Sequence, residues 1–363
     1  MKTCKICILH DDIQGVTINS GGICNVCSSY KPFVPHGEEK LLKIFEKAQR
    51  KKRHYDALVP LSGGKDSTYV LYLAVKKYKL NVMAYTYDNG FLSEPARRNI
   101  DTSIRKLGID HVWVRHAPDL IRELYRTSLI YSGEICGICG VGIERSMLKV
   151  SESYHIPLIL LGHTPTESNS FTSENIYDQR RIKTILSQSK HITDQMLKRF
   201  LVYRNLDFIN TYFYTKTGRF GKKVHMLYFI EIPSEKEIGD ILKKEMDWQE
   251  PETSAYTRHF DCIAEPFTNF IRNKRFGSSR RVPQLSNLVR NHEISREEAL
   301  RIKQEDELKD LPENYDEVMS TLNLKESDID DIARIPVNIF GDHLSFSNQI
   351  FTKVRGLVKK SEH

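Results

Sequence analysis

The 363-residue chain has no long apolar run. Its longest, Ile156 to Leu161, is broken by Pro157 and falls far short of the roughly 20 residues that cross a bilayer, so no membrane span is expected. No apolar segment follows Met1-Lys2-Thr3-Cys4, so a secretory signal is not expected and a cytoplasmic chain is. There is no internal repeat and no low-complexity tract, which excludes solenoids and biased linkers. Neither charge sign dominates: 54 Lys and Arg against 47 Asp and Glu leave a net +7, which suits anionic ligands without specifying nucleic acid. What is present is ordinary globular material, 40% apolar and 28% charged, enough for a buried core and against wholesale disorder. At about 150 residues per domain, the length implies two domains and an appendage.

Cysteine is the first informative residue type. Six of the seven cysteines fall in Cys-x-x-Cys pairs, and an odd total argues against a pure disulfide framework. Cys4-x2-Cys7 and Cys24-x2-Cys27 are separated by 16 residues, and two such knuckles can bring four thiolates tetrahedrally around Zn2+. A closed site of this kind has no open position, so its role is folding or docking. Cys136-x2-Cys139 has only Cys262 as a distant third partner. Three thiolates can hold three irons of a [4Fe-4S] cluster and leave the fourth open. A redox dithiol, a zinc completed by His259, or an unmetallated pair lining a pocket are the alternatives.

After a ribbon at 1–30 and a linker helix at 31–54, the pattern becomes strand–helix repeats. Strands are expected at 55–61, 81–87, 111–115 and 156–161, with a further one within 224–232. Helices are expected between them, near 66–79, 94–107, 120–130 and 143–154. Such alternation predicts an α/β fold, a doubly wound parallel sheet covered on both faces, with ligands at the carboxyl ends of its strands. Residues 55–233 form this domain and 234–363 a mostly helical C-terminal region.

The clearest chemical signal is Ser62-Gly63-Gly64-Lys65-Asp66-Ser67-Thr68, at a strand end and opening a helix. Free N–H groups of a first helical turn, two glycines and three hydroxyls suit phosphate binding. The spacing is neither Gly-x4-Gly-Lys-[Ser/Thr] nor Gly-x-Gly-x-x-Gly. Ser-Gly-Gly-x-Asp-Ser resembles the loop of the PP-loop ATP pyrophosphatases, a Rossmann-like superfamily that splits ATP between its α- and β-phosphates. The resemblance implies that Ser62, Gly63, Gly64, Ser67 and Thr68 cradle pyrophosphate, that Asp66 helps hold Mg2+, and that Lys65 supplies positive charge. It further implies nucleotide-facing roles for Asp88, Gly162 and His163, which follow later strands. Read alone, His163 is as easily a packing residue.

Further motifs resemble the N-acetyl sugar amidotransferases of surface-polysaccharide synthesis: Gly22-Ile23-Cys24-Asn25-Val26-Cys27, Asp88 to Ser93 with Arg97-Arg98-Asn99, Cys136 to Ile143, and Ile294 to Leu300. That resemblance implies a nucleotide-sugar substrate whose acetamido group becomes an acetamidino group, with ammonia from a separate glutaminase. No glutaminase is found in this chain: Gly137-Ile138-Cys139-Gly140-Val141 departs from Gly-x-Cys-x-Gly at its last position. Gly140 stands where the family commonly has His, and Gly162-His163 where it commonly has Gly-Glu. The Cys-x-x-Cys-Gly form, the Gly-His turn and the late third cysteine also resemble the tRNA thiolases of the superfamily, which implies sulfur transfer to tRNA or a small molecule as the alternative. His259 and Asp261, beside Cys262, are candidate base and orienter; a helix start with Asp261 near its N-terminus is the plainer account. Arg272, Lys274, Arg275, Arg280 and Arg281 read either as a basic patch for a diphosphate or RNA phosphates, or as a solvated face.

Overall fold

The computed structural model describes residues 1–13, 15–165, 176–203, 208–250, 259–307, 311–336 and 340. Five parallel strands form one sheet: β1 (Ala57–Pro60), β2 (Val82–Asp88), β3 (Asp110–Arg115), β4 (Leu158–Leu161) and β5 (Lys222–His225). Their order, β3-β2-β1-β4-β5, puts the switch of winding direction at β1, between β2 and β4. β2 is buried at every position, as a strand covered on both faces must be, whereas edge strand β3 is partly open.

The short helix α1 (Asn25–Ser28) lies in the cysteine ribbon, and longer helices cover both faces of the sheet. On one, α2 (Glu38–Gln49), α3 (Lys65–Tyr72) and the helix Glu235–Met246 pack through Leu41, Phe45, Val70 and Leu242 against Val59 and Ala84. On the other, α6 (Cys136–Ser153) lays Met147, Leu148 and Val150 on Leu58, Tyr85 and Ile159. α4 (Glu94–Leu107) shows why the sequence starts and stops helices where it does. Ser93 Oγ accepts from Ala96 N at 3.3 Å, Pro95 occupies the first turn, and Gly108 closes the helix at φ 63°.

The apolar run at 224–232 is strand only as far as His225; the chain then makes a short 3-10 turn, Met226–Phe229. Burial alone cannot separate a strand from a buried turn, and Met226 and Leu227 are wholly buried in that turn. The helix Glu235–Met246, expected with the C-terminal region, packs against α3 in the sheet's own core.

The remaining described residues form two further cores. α5 (Pro118–Ser132) and α6 bury Leu124 and Ile138 with Phe267 of Glu265–Phe276, Val318 of Tyr315–Thr321 and Ile329 of Glu326–Ala333. The cysteine ribbon buries Ile8 and Leu9 against Val282, Leu285 and Leu288 of Arg281–Arg290, and Ile302 of Arg296–Glu307. Among the described residues no helix is long and apolar enough to cross a membrane.

Candidate functional site

The loop after β1 is built to leave its helix N-terminus open. Gly64 is the N-cap of α3 and no side chain caps it. Instead the nearby hydroxyls turn onto Gly64's carbonyl: Ser67 Oγ donates to it at 3.1 Å and Thr68 Oγ1 at 2.8 Å. Ser62 N donates to Ser67 Oγ at 3.2 Å, and Gly64 N to Ser62 Oγ at 3.3 Å. The N–H groups of the first turn have no partner within their own helix and point, with the helix dipole, where an anion binds. Gly63 adopts φ 80°, and its carbonyl accepts from Trp248 Nε1 at 2.9 Å and Asn99 Nδ2 at 3.2 Å. Lys65 Nζ lies 3.1 Å from Glu235 Oε2 and 3.9 Å from Asp66 Oδ1, so its charge is held at the loop by carboxylates.

Two strand ends border this loop. Gly162, after β4, comes so close that a Cβ there would stand 3.1 Å from Ser67 Cα and N. The exposed His163 follows and meets His225 at a tilt, ring centroids 5.6 Å apart. Asp88, at the end of β2, is buried and committed within the fold: Arg97 Nη2 donates to both its oxygens at 3.2 Å, Arg115 Nε stands 3.7 Å away, and Gly90 N donates to it at 3.0 Å.

A segment from far along the chain completes the site. Ser93 N donates to Asp261 O at 3.0 Å and Ile263 N to Phe91 O at 2.8 Å, with Leu92 and Cys262 paired as an antiparallel bridge. This zipper aims Asp261 at the loop, where Oδ2 would lie 3.6 Å from a Cβ at Gly64. The same carboxylate raises the Cys139 and Cys262 thiols, adding to the larger effect of burial. Asp261 is therefore near the loop and close enough to the cysteines for its charge to be felt there. His259 Nδ1 is 3.9 Å from Asp261 Oδ1, longer than a hydrogen bond, and its ring is half exposed.

Cys136 and Cys139 lie on the first turn of α6, and with Cys262 they pack against one apolar core. Asn89 Nδ2 donates to Cys139 Sγ at 3.5 Å. Burial pushes Cys136 up to about 12, so the thiol stays protonated at neutral pH. Beneath them sits Glu134, a residue sequence reasoning did not single out. Its Oε1 accepts from Ile135 N at 3.1 Å and Cys136 N at 3.0 Å; its Oε2 takes Arg272 Nη1 at 2.8 Å and Arg280 Nη2 at 3.3 Å. Burial would raise this carboxyl, but the two guanidinium groups outweigh it and hold it at about 2. The basic run at 272–281 is thus not an open patch. Arg272 and Arg281 are buried, the latter paired with Asp306 at 2.5 Å, and Arg275 donates to the carbonyls of Gly133 and Ile335.

Glu134→Gln should cost about 3–5 kcal/mol at pH 7, because it leaves Arg272 buried without its counter-ion. A folded-state value of about 2 lies below the ordinary carboxylate, so the stabilisation is complete above pH about 4.5 and lost as pH falls toward 2. Urea unfolding of both chains at pH 7 and pH 3 checks this. A gap between them that did not shrink in acid would contradict it.

The four N-terminal thiols meet the requirements of a metal centre. Cys4, Cys7, Cys24 and Cys27 place their sulfurs within 4.8 Å of one another, and three of the four residues are buried. Tetrahedral Zn–S bonds require sulfurs about 3.8 Å apart, and Cys7 and Cys24 stand at 3.7 Å. Ile6 N and Cys24 N donate to Cys4 Sγ at 3.4 and 3.3 Å, and Cys27 N to Cys24 Sγ at 3.3 Å, as backbone amides do around thiolates. The Cys27 thiol bonded to Cys7 pulls Cys7 down to about 5, while burial lifts Cys24 to about 11.

Known proteins resemble parts of this chain. A protein-family model described as LPS biosynthesis protein WbpG-like, C-terminal domain, matches residues 253–355, the stretch that supplies Asp261, Cys262 and the helices under the ribbon. An uncharacterised protein of Methanocaldococcus jannaschii is 25% identical over 165 residues, 44% of this chain and 58% of that protein, so the match spans under two thirds of the relative. Among solved structures, a U34-tRNA thiolase from Methanococcus maripaludis with its [4Fe-4S] cluster aligns at TM-score 0.36 and 19% identity, covering 86% of this chain and 90% of that one. An NMN synthetase from Francisella tularensis aligns at 0.29 and 14%, covering 66% and 92%.

Trp248, Asn99, Glu235 and Glu134 are the contributors that motif reading did not assign. Asn99 belonged to a motif but carried no role; Trp248 is one of only two tryptophans, and that rarity was the available signal.

Proposed function

We propose that this chain is an ATP-using amidotransferase subunit that converts the acetamido group of a nucleotide-activated sugar to an acetamidino group for lipopolysaccharide synthesis. The observation that carries the reading is Asp261: a carboxylate from the stretch that the LPS-biosynthesis family model matches stands beside the loop glycine Gly64, which brings that stretch to the phosphate loop. The acetamido oxygen attacks the α-phosphorus of ATP and pyrophosphate leaves. Ammonia from a partner glutaminase then adds to the imidate carbon, and AMP departs with the oxygen. An amide oxygen is a poor leaving group and AMP a good one.

The chain's own groups fit these steps. The open first turn of α3 and Lys65 take the pyrophosphate. Asp66, at the head of α3, is the residue to hold Mg2+, which neutralises charge developing on the phosphates. Asp261, with His259 beside it, accepts the proton that ammonia sheds. Asp88 serves through Arg97 and Arg115, fixing the β2 end. Zn2+ belongs to the ribbon and plays no part in the chemistry.

The test is pyrophosphate release from ATP with a panel of nucleotide N-acetyl sugars and ammonium ion. Release should require both sugar and ATP, and Asp66→Ala should abolish it while leaving zinc content unchanged. Pyrophosphate surviving that substitution would remove the loop from the mechanism.

Sulfur transfer is the second reading, favoured by the gathering of Cys136, Cys139 and Cys262 around one core beside Asp261. Protein purified without oxygen would then contain about four irons and four acid-labile sulfides besides zinc, lost on Cys262→Ala. Zinc alone would leave amidotransfer standing.

A further inference from the structure

The carboxyl ends of β4 and β5 carry a chain of rings that no step above uses. His163 and His225 meet at a tilt with centroids 5.6 Å apart, as do His225 and Tyr228 at 5.1 Å, and Phe33 meets Tyr228 edge-on at 5.3 Å and His36 edge-on at 5.8 Å. All are spacings at which aromatic rings attract one another. Phe33 and His36 come from the linker, which is pinned here by His36 N donating to Tyr228 O at 2.9 Å.

Two features separate this chain of rings from a packing staple. Core aromatics such as Phe45 and Phe220 are 2% and 1% exposed, whereas His36 and His163 are exposed and Phe33, His225 and Tyr228 half-buried. Three of the five are histidines, which apolar packing does not select, and His225 Nδ1 is buried with no hydrogen-bond partner among the described residues. Buried polar atoms are normally satisfied, so the unmet Nδ1 leaves hydrogen-bonding capacity beside these rings.

We propose that this surface seats the base of a nucleoside diphosphate, the nucleotide part of the acceptor. The occupant, though not the surface, rests on the nucleotide-sugar reading above. His163 follows Gly162, which abuts Ser67, so the rings begin one residue from the phosphate loop. On the opposite flank of β1 the β2 end is closed: Asp88 is held by two arginines and the following loop is zippered to 261–263. Among the described residues the β4–β5 flank presents these partly exposed rings, and sheets of this kind bind ligands at their carboxyl ends. The acceptor and ATP each bring one flat π-system, and stacking on rings accepts any base.

The experiment is equilibrium binding of UDP, GDP, CDP and thymidine diphosphate to the full chain, with a non-hydrolysable ATP analogue present. At least one should bind wild type. Tyr228→Ala should weaken it about tenfold or more, and Tyr228→Phe should restore it, while affinity for the ATP analogue stays unchanged. Three results overturn the proposal: no diphosphate binds wild type; Tyr228→Ala leaves its affinity unchanged with the thermal melt intact; or the ATP analogue is what weakens, which assigns the rings to adenine. The readout needs no turnover. A wild type that binds a diphosphate yet releases no pyrophosphate with any nucleotide sugar keeps the base site and loses the proposed reaction.

Discussion

Gly63→Ala should lower pyrophosphate release about 100-fold with little loss of folded protein. An added Cβ would stand 2.3 Å from Ala96 O and 2.9 Å from Ala96 Cα, both backbone atoms of α4, which cannot rotate away. The residue also sits at φ 80°, where an L side chain costs about 1–2 kcal/mol. Relief requires the loop to lift off α4, and lifting breaks the bonds that Trp248 and Asn99 make to Gly63 O, each worth about 0.5–1.5 kcal/mol. Together these come to about 2–5 kcal/mol, a range that spans the roughly 2.7 kcal/mol that a 100-fold loss represents. The effect falls on turnover because the displaced atoms are those that present the helix N-terminus to phosphate. Gly218→Ala is the control: φ is 77° but nothing lies within 4 Å of the new carbon. Equal losses in both variants would mean that backbone strain, and not the close approach to α4, shapes the loop.

That contrast also shows what could be read before the fold was seen. The loop was legible because its strand, glycines, hydroxyls and helix lie within a dozen residues, and local order implies local geometry. The alternation of strands and helices gave the doubly wound sheet by the same logic. Contacts between distant parts of the chain were not legible. Nothing near position 261 announces that its carboxylate will reach Gly64, because that depends on a three-residue zipper to 91–93. The arginines at 272–281 looked like one patch because their partners, Glu134 and Asp306, lie up to 146 residues away in sequence. The spacing of the ribbon cysteines specified a tetrahedral site but not the helices it would clasp.

The clasp makes the second large prediction. Stripping the zinc proposed for the ribbon with a chelator, or replacing Cys24 with serine, should destabilise the helices 281–290 and 296–307 by at least about 4 kcal/mol. The ribbon has little core of its own: Ile8, Leu9, Ile13 and Val16 are buried only with the help of Val282, Leu285, Leu288 and Ile302. A structural zinc supplies folding free energy outright, so without it the knuckles have no reason to hold their shape. Each exposed Val or Leu then gives up about 1.5–3 kcal/mol of burial, and three on the partner helix suffice. Polar contacts go too: Arg296 Nε donates to Cys4 O and Cys7 O at 3.1 Å, and Arg290 Nη1 reaches Cys27 Sγ at 3.9 Å. Hydrogen exchange would then quicken in 281–307 while β1, β2 and β4 keep their protection. Catalysis should suffer as well, because Glu293, just past that helix, lies close enough to Lys65 and Glu235 to feel both charges. Unchanged exchange in 281–307 after the metal is removed would reduce the ribbon to an independent appendage. Loss of both protection and pyrophosphate release, set against Asp66→Ala losing only the second, would separate the fastening of the site from its chemistry.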